Sequence, residues 1–172
     1  MSDGAIPLPD PVGILILDCD GVLTDGGMYF SADGQAMKRF DVKDGLALAR
    51  LAEMGFPTAV ISGDQSAITQ ARCEVLSITH TVLGRLYKGA AVQEVLDATG
   101  IAAESVVYIG DDVTDLPALR MVGFGVAPAD AADAVLAEAD WVTTRLGGRG
   151  AVREICDAIM EQLERDGRAA SS

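Results

Sequence analysis

Ile14-Leu15-Ile16-Leu17-Asp18-Cys19-Asp20-Gly21-Val22-Leu23-Thr24-Asp25 is an apolar run that ends abruptly in two carboxylates one residue apart. Four consecutive aliphatic residues without alternation are typical of a strand buried on both faces of a parallel sheet. Because ligands bind beyond the carboxyl ends of such strands, Asp18 and Asp20 stand where chemistry is expected. An extended segment would direct both carboxyl groups to one side and Cys19 into the core. Two like charges this close need a cation or a proton between them.

The rest of the chain alternates apolar runs with helical patterns. Predicted strands lie at residues 58–61, 81–83, 106–109, 124–126 and 141–142, and predicted helices at 44–54, 66–76, 88–100, 116–122, 131–137 and 151–163. This alternation predicts a single α/β domain over residues 1–172 with a doubly wound parallel sheet. The first 11 residues contain three prolines and are predicted as a loose arm, and residues 165–172 as a polar tail.

A β-hairpin over residues 27–39 is predicted from two short segments around Ser31-Ala32-Asp33-Gly34. The next helix is expected to have Asp44 as its N-cap and to end at Gly55. The interval before that helix is too short for a separate cap domain over the site. The hairpin is more apolar than a free two-stranded ribbon can expose, so we expect it to pack against another subunit through Met28, Tyr29, Phe30, Met37 and Phe40.

The composition excludes several classes of partner. A formal net charge of −13 argues against nucleic acid and anionic membranes as partners. No apolar stretch reaches the length of a membrane span, and no signal peptide is recognised. The cysteines number three, an odd count at wide spacing without a metal-binding pattern, which favours a reducing, cytoplasmic compartment.

Polar residues also lie at the ends of two other predicted strands and at the start of a predicted helix. Ser62-Gly63 follows the second strand, Lys88 begins a helix, and Gly110-Asp111-Asp112-Val113-Thr114-Asp115 follows a later strand. The last stretch is rich in carboxylate oxygens, which suit octahedral Mg²⁺. Taken singly, each has an ordinary alternative: a serine N-cap, a solvated lysine and an acidic helix N-terminus. Beside Asp18 and Asp20 they indicate phosphoryl transfer, since one carboxylate can attack phosphorus while the other exchanges protons.

These motifs, in this order, resemble those of the haloacid dehalogenase (HAD) superfamily of phosphotransferases. The resemblance implies that Asp18 is the nucleophile, Asp20 the general acid and base, and Lys88 the cation that neutralises nucleophile and phosphate. It also implies phosphate binding by Ser62 and Gly63.

The same resemblance implies a magnesium site. Its ligands would be the Asp18 carboxylate, the Asp20 main-chain carbonyl and the Asp111 carboxylate. Asp112 and Asp115 would act through water or by supporting the ligands.

Within the superfamily, the chain resembles the capless 3-deoxy-D-manno-octulosonate (KDO) 8-phosphate phosphatases. The resemblance is carried by Lys43-Asp44-Gly45, Ala71-Arg72-Cys73, Leu83-Gly84-Arg85-Leu86-Tyr87-Lys88 and Gly147-Gly148-Arg149-Gly150-Ala151-Val152-Arg153-Glu154. It implies release of phosphate from a sugar-acid phosphate for lipopolysaccharide synthesis, in a homotetramer whose hairpins restrict neighbouring active sites. Arg72 and Arg149 are the further candidates for substrate binding, and an arginine in a Gly-rich loop suits a carboxylate.

One residue departs from the pattern of that family. Members often have Arg after the Ser-Gly or Thr-Gly motif, whereas this chain has Asp64. Relatives that act on nine-carbon, sialic-acid-type 9-phosphates can carry an acidic residue there, so such a phosphatase is the alternative. A non-catalytic regulatory or assembly domain is an alternative of another class, and the intact Asp18, Asp20, Lys88 and Asp111 argue against it.

Overall fold

The computed structural model describes residues 6–167. The predicted arm and tail lie partly outside this range. Within it, Ile6 and Leu8 pack against the core, and the Gln162 side chain donates a 2.7 Å hydrogen bond to the Pro9 carbonyl. None of the helices in this range is long and apolar enough to span a bilayer.

A six-stranded parallel sheet forms the centre of the fold and confirms the predicted α/β class. Its strands are β1 (Ile14–Leu17), β4 (Thr58–Ser62), β5 (His80–Leu83), β6 (Val106–Ile109), β7 (Phe124–Ala127) and β8 (Trp141–Val142), in the order β5-β4-β1-β6-β7-β8. The remaining two strands, β2 (Tyr29–Ser31) and β3 (Gly34–Met37), form the predicted hairpin apart from this sheet. The uninterrupted aliphatic residues of β1 are completely buried because both faces of the sheet are covered.

Helices cover the two faces of the sheet. One core contains α1 (Val42–Glu53), α2 (Ala67–Val75) and α6 (Ala151–Arg165), and the other contains α3 (Lys88–Thr99), α4 (Leu116–Leu119) and α5 (Asp133–Leu136). The side chains of Leu15 and Leu17 enter the first core and those of Ile14 and Ile16 the second, as alternation along a strand requires.

The order of the strands fixes where a site can form. From β1 the chain moves outward through β4 to β5, and α3 then returns it to β6 on the other side of β1. This reversal leaves a crevice beyond the carboxyl ends of β4, β1 and β6, which is where open α/β sheets bind ligands.

Asp44 is not the N-cap of α1, contrary to the prediction. The helix begins at Val42 and its N-cap is Asp41, whose carboxylate accepts the Lys43 N–H at 2.8 Å. Asp44 lies one turn further on and is 1% exposed. Its two oxygens accept the N–H groups of Gly150 (3.2 Å) and Arg153 (2.8 Å), so it caps α6 instead.

The predicted helix at 116–122 begins where expected but is shorter. Residues Val113–Asp115 form a 3₁₀ turn before α4, which ends at Leu119. Asp112 and Asp115 form a capping box around this turn and hold it in the tighter conformation.

The hairpin projects from the domain. Met28, Tyr29, Phe30 and Met37 are 46–66% exposed, whereas Phe40, grouped with them in the prediction, packs against the core and pairs with Thr24. Among the described residues, the hairpin is the only structure inserted between β1 and α1.

Candidate active site

A cavity of about 270 Å³ lies in the crevice at the carboxyl ends of the central strands. It is lined by Asp18, Asp20, Ser62, Gly63, Asp64, Leu86, Lys88, Asp111, Asp112 and Thr114. Seven of the predicted site residues therefore meet in one place, although they come from four separate stretches of the chain.

Asp18 and Lys88 form a buried ion pair. Lys88 Nζ lies 2.7 Å from Asp18 Oδ1, and the two side chains are 9% exposed for Asp18 and 3% for Lys88. Lys88 Nζ also donates to the Ile61 carbonyl at 3.5 Å. Its helix α3 lies close to α4, since a Cβ on Gly89 would be 3.2 Å from Pro117 Cβ. Burial raises the pKa of Asp18 to about 7, and the charge of Asp115 adds to the shift although Lys88 opposes it. A further cation beside Asp18 would therefore stabilise its ionised form.

The Asp20 carboxyl is held by the loop that follows β1. The N–H groups of residues 22–24 converge on the Cys19 carbonyl at 2.9–3.3 Å, which folds the loop into a tight turn. Thr24 Oγ1 donates to Asp20 Oδ1 at 3.3 Å and accepts the Gly21 N–H, also at 3.3 Å. The Asp20 side chain remains 43% exposed, so it can reach a substrate and water.

Cys19 faces away from the site, as predicted. It is completely buried in the core. Burial, with the charge of Asp20 adding to it, raises the pKa of the thiol to about 12. Since a thiolate is the reactive form, this cysteine is not a nucleophile at neutral pH.

Asp115 fixes the backbone of the loop that carries Asp111 and Asp112. Its Oδ2 accepts the N–H groups of Asp111 (3.0 Å) and Asp112 (3.1 Å), and its Oδ1 accepts the Tyr108 hydroxyl at 2.6 Å. Asp115 is completely buried and fully engaged, whereas Asp112 is exposed and accepts the Val113 N–H.

The acidic groups fit a divalent cation. Oxygen atoms of Asp18, Asp111 and Asp115 lie within 4.8 Å of one another. Asp111 Oδ1 is buried and has no hydrogen-bond partner, which is costly unless a further ligand satisfies it. Burial, with the charges of Asp18, Asp115 and Asp112, raises the pKa of Asp111 to about 8. Gly21 is required here because a Cβ at that position would lie 2.0 Å from Asp111 Oδ2.

Ser62 and Gly63 form another wall of the cavity. Ser62 is the last residue of β4 and is 1% exposed, and its Oγ accepts the Asp64 N–H at 3.1 Å. The N-cap of α2 is Ser66, so Ser62 is not the ordinary helix cap that was its alternative interpretation.

The chain is similar in sequence to hydrolases of known function. The profile of the haloacid dehalogenase-like hydrolases matches residues 59–155. The KDO 8-phosphate phosphatase of Escherichia coli strain K12 is 39% identical over 160 residues, which are 93% of this chain and 85% of the relative. This chain is a haloacid dehalogenase-like hydrolase. It is an enzyme, a phosphoric monoester phosphatase of the type that these relatives represent.

Solved structures agree with this family membership. The KDO 8-phosphate phosphatase of Yersinia pestis superposes with a TM-score of 0.86 at 39% identity, covering 90% of this chain and 83% of that chain. The enzyme of Moraxella catarrhalis, solved in complex with magnesium, phosphate and KDO, gives a TM-score of 0.84 at 37% identity, covering 87% and 86% of the two chains.

In this HAD-like hydrolase, Arg72 lies away from the cavity described above. Its guanidinium stacks on the Phe40 ring at 5.3 Å and lies against Gly45, where a Cβ would be 2.3 Å from Arg72 Nη2. Arg72 does not line the cavity that holds Asp18 and Lys88, and its role in substrate binding stays a prediction. The motif gave its position along α2 but not the face of the helix that it occupies.

Arg149 also lies outside that cavity. Its guanidinium is 54% exposed and lies 3.3 Å from Asp25 Oδ2. It borders a second cavity, of about 370 Å³, at the N-terminus of α6.

The two glycines before Arg149 approach the protein's own backbone. A Cβ on Gly147 would lie 1.8 Å from the Gly21 carbonyl oxygen, and one on Gly148 would lie 2.3 Å from the backbone of Thr24 and Asp25. The Gly148 N–H also donates to the Val22 carbonyl at 2.8 Å. The interpretation that these glycines admit a ligand is therefore corrected, because they brace the loop that carries Asp20.

Sequence reasoning missed Lys38, which lies at the end of the hairpin. Its Nζ lies 2.7 Å from Asp20 Oδ2 and 2.8 Å from Asp64 Oδ2, and its side chain is 1% exposed. The only signal in the sequence is a lysine directly after the second hairpin strand, which by itself indicates a solvated residue.

Proposed function

We propose that this chain is a Mg²⁺-dependent phosphatase that hydrolyses KDO 8-phosphate to KDO and phosphate through an aspartyl phosphate on Asp18. The observation that carries the proposal is the meeting of Asp18, Lys88, Asp20 and Asp111 in one cavity at the switch point of the sheet. A binding domain needs no buried carboxylate paired with a lysine and a second, exposed carboxyl beside it.

Asp18 is the proposed nucleophile. Its oxygen attacks phosphorus, and the bond between phosphorus and the sugar oxygen breaks. Lys88 holds Oδ1 at 2.7 Å, fixes the carboxylate and offsets the charge that arrives with the phosphate. Ser62 and Gly63 are the proposed phosphate-binding residues on the facing wall.

Asp20 is the proposed general acid and base. It gives its proton to the departing sugar oxygen and then takes one from the water that attacks the aspartyl phosphate. Its exposure to the cavity suits both transfers, and Thr24 holds its other side.

The residues suited to Mg²⁺ are the Asp18 and Asp111 carboxylates and the Asp20 main-chain carbonyl. The orphaned Asp111 Oδ1 supports this assignment, and Asp115 and Asp112 keep the loop in place. When bound, the cation supplies positive charge to the phosphoryl oxygens and stabilises the ionised form of both carboxylates.

The size of the cavity bears on the substrate. A volume of about 270 Å³ is at the low end for ligand sites and suits the phosphoryl end, so the sugar acid would extend outward. We assign its carboxylate to Arg149, on the loop beside Asp25. The relatives that are KDO 8-phosphate phosphatases favour the eight-carbon substrate. The acidic Asp64 keeps a nine-carbon 9-phosphate as the second candidate.

The exposed hairpin supports a homotetramer in which neighbouring subunits cover the open cavity. The three cysteines are buried and free, which supports a cytoplasmic enzyme of lipopolysaccharide precursor synthesis.

The test is phosphate release from a panel of eight- and nine-carbon sugar-acid phosphates, with Mg²⁺ and with EDTA. We expect the highest kcat/KM for KDO 8-phosphate and loss of activity in EDTA that Mg²⁺ restores. A higher value for a nine-carbon substrate favours the second candidate. No metal-dependent release from any of them refutes the proposed function.

A further inference from the structure

The Lys38 side chain is buried, whereas most of the hairpin is exposed. Its ammonium group donates to Asp20 Oδ2 at 2.7 Å and Thr69 Oγ1 at 3.1 Å, and it lies 2.8 Å from Asp64 Oδ2. An ammonium has three protons, so these three acceptors satisfy it completely. Burial of a lysine is costly unless each proton is paired, and this arrangement fixes the position of Nζ.

The consequence for Asp20 is that both of its oxygens are restrained. Thr24 donates to Oδ1 at 3.3 Å and Lys38 to Oδ2 at 2.7 Å, while 43% of the side chain remains exposed to the cavity. The Asp20 carboxyl group is therefore fixed by Thr24 and Lys38 and is still accessible from the cavity. A proton donor has to lie within hydrogen-bond reach of its acceptor in a narrow range of orientations.

Asp64 anchors Lys38 in this position. Its carboxylate accepts the Thr69 hydroxyl at 2.9 Å, the Ser66 N–H at 3.0 Å and the Ser66 hydroxyl, in addition to pairing with Lys38. Although partial burial opposes the shift, the hydrogen bonds from Lys38, Ser66 and Thr69 hold the pKa of Asp64 well below its usual range. Asp64 stays ionised and its oxygens are engaged.

The ion pair also gives a physical reason for the departure at residue 64. An arginine there would place a second cation against the buried ammonium of Lys38, whereas Asp64 neutralises it. The acidic residue thus has a role as the partner of Lys38, and this role does not require a contact to the sugar.

We propose that Lys38, anchored by Asp64 and Thr69, is a positioning residue that holds the Asp20 carboxyl in the orientation needed to protonate the leaving group. This rests on the proposed function, in which Asp20 is the general acid. Lys38 itself transfers no proton and forms no bond to phosphorus.

The test compares two esters by kcat/KM, which covers the steps up to formation of the aspartyl phosphate. A sugar phosphate needs protonation of its leaving oxygen, whereas p-nitrophenolate leaves without it. Lys38→Met should lower kcat/KM by about 100-fold for the sugar phosphate and by less than about 5-fold for p-nitrophenyl phosphate. Lys38→Arg should restore part of the loss.

Two variants serve as references. Asp20→Asn should show the same selective loss as Lys38→Met. Arg120→Met removes a cation from a surface ion pair with Glu138 and should leave both esters unchanged. Thermal melts and light scattering on each variant report its folding and assembly.

A variant at Asp64 provides a second test, which does not depend on whether Lys38→Met folds. Asp64→Asn should reduce kcat/KM selectively for the sugar phosphate, by about 10-fold. In the Lys38→Met background it should add little, because the two residues act through one another.

The outcomes separate the two hypotheses. If Lys38→Met and Asp64→Asn each lower kcat/KM equally for the two esters, Lys38 only anchors the hairpin. That result overturns the proposal. If Asp20→Asn itself lowers kcat/KM equally for the two esters, the acid role of Asp20 in the proposed function is wrong. The positioning role of Lys38 is then refuted with it.

Discussion

Gly147→Ala tests whether the loop that carries Asp20 depends on its contact with the loop before α6. The added Cβ would lie 1.8 Å from the Gly21 carbonyl oxygen, and the nearest neighbours are backbone atoms that no side-chain rotation can remove. To restore even a tight contact of about 3.0 Å, one of the loops has to move by about 1.2 Å.

A displacement of this size predicts two separate losses. Overpacking of this kind should lower the free energy of unfolding by about 1–3 kcal/mol. Misplacement of catalytic groups by about 1 Å can cost about 100-fold in rate, so we expect kcat/KM to fall by about that factor. Urea unfolding measures the first loss and initial rates of phosphate release measure the second.

Gly55→Ala is the matched control. Gly55 has a φ of +71° and no atom lies within 4 Å of the place that an added Cβ would take, so alanine there costs about 1–2 kcal/mol of backbone strain without a clash. Its turnover should equal that of the parent. If Gly147→Ala keeps kcat/KM within about threefold of the parent, the bracing role of this contact is refuted.

Asp18→Asn should abolish phosphate release with little loss of stability, since it removes the nucleophile but keeps the size of the side chain; turnover within about tenfold of the parent contradicts the covalent mechanism. Arg149→Ala should raise KM for the sugar phosphate by roughly 10- to 100-fold, the equivalent of about 1.5–3 kcal/mol for a charged hydrogen bond, and leave p-nitrophenyl phosphate almost unchanged. An equal loss on both esters would place Arg149 in the phosphate site or in folding. The pKa values of Asp18 and Asp111 are raised to about 7 and about 8, so in EDTA their contribution to stability should be full below about pH 4 and lost as the pH rises to 8. Thermal melts from pH 4 to 8.5 should show this decline, with Mg²⁺ restoring stability most at high pH and Asp111→Asn flattening the slope; a parent whose stability rises over this range would contradict it. Phe30→Asp on the hairpin should reduce the particle mass in light scattering and the activity on the sugar phosphate, and a parent that is fully active as a monomer argues against the interface.

The strands and their polar ends could be predicted because the signals are local. Ile14–Leu17 has the pattern of a strand buried on both faces, and the carboxylates directly after it can only lie at the edge of the sheet. The same reasoning placed Ser62, Lys88 and Asp111, since each lies at the end of a strand, within two residues of one, or at the start of a helix.

The residues that were misplaced depend on contacts far apart in sequence. Asp44 has the right residue type and spacing for an N-cap, but the helix that it caps begins 107 residues later. Lys38 reaches partners 18 and 31 residues away, and nothing in the hairpin pattern indicates that its end folds back onto the site. Arg72 lies outside the cavity, and its motif could not show this because a motif within a helix does not state which side of that helix faces the cavity.

The sequence separation of the contacts around Asp20 implies an order of events during synthesis. The pair of Asp18 with Lys88 spans 70 residues, whereas the Gly148 N–H that donates to the Val22 carbonyl comes from nearly the other end of the chain. A nascent chain can close the first contact once β5 and α3 have left the ribosome, but the second must wait until the loop before α6 has been made. Since long-range contacts form slowly, the turn that carries Asp20 should be the last part of the site to settle, and a newly made chain would be compact before it is active.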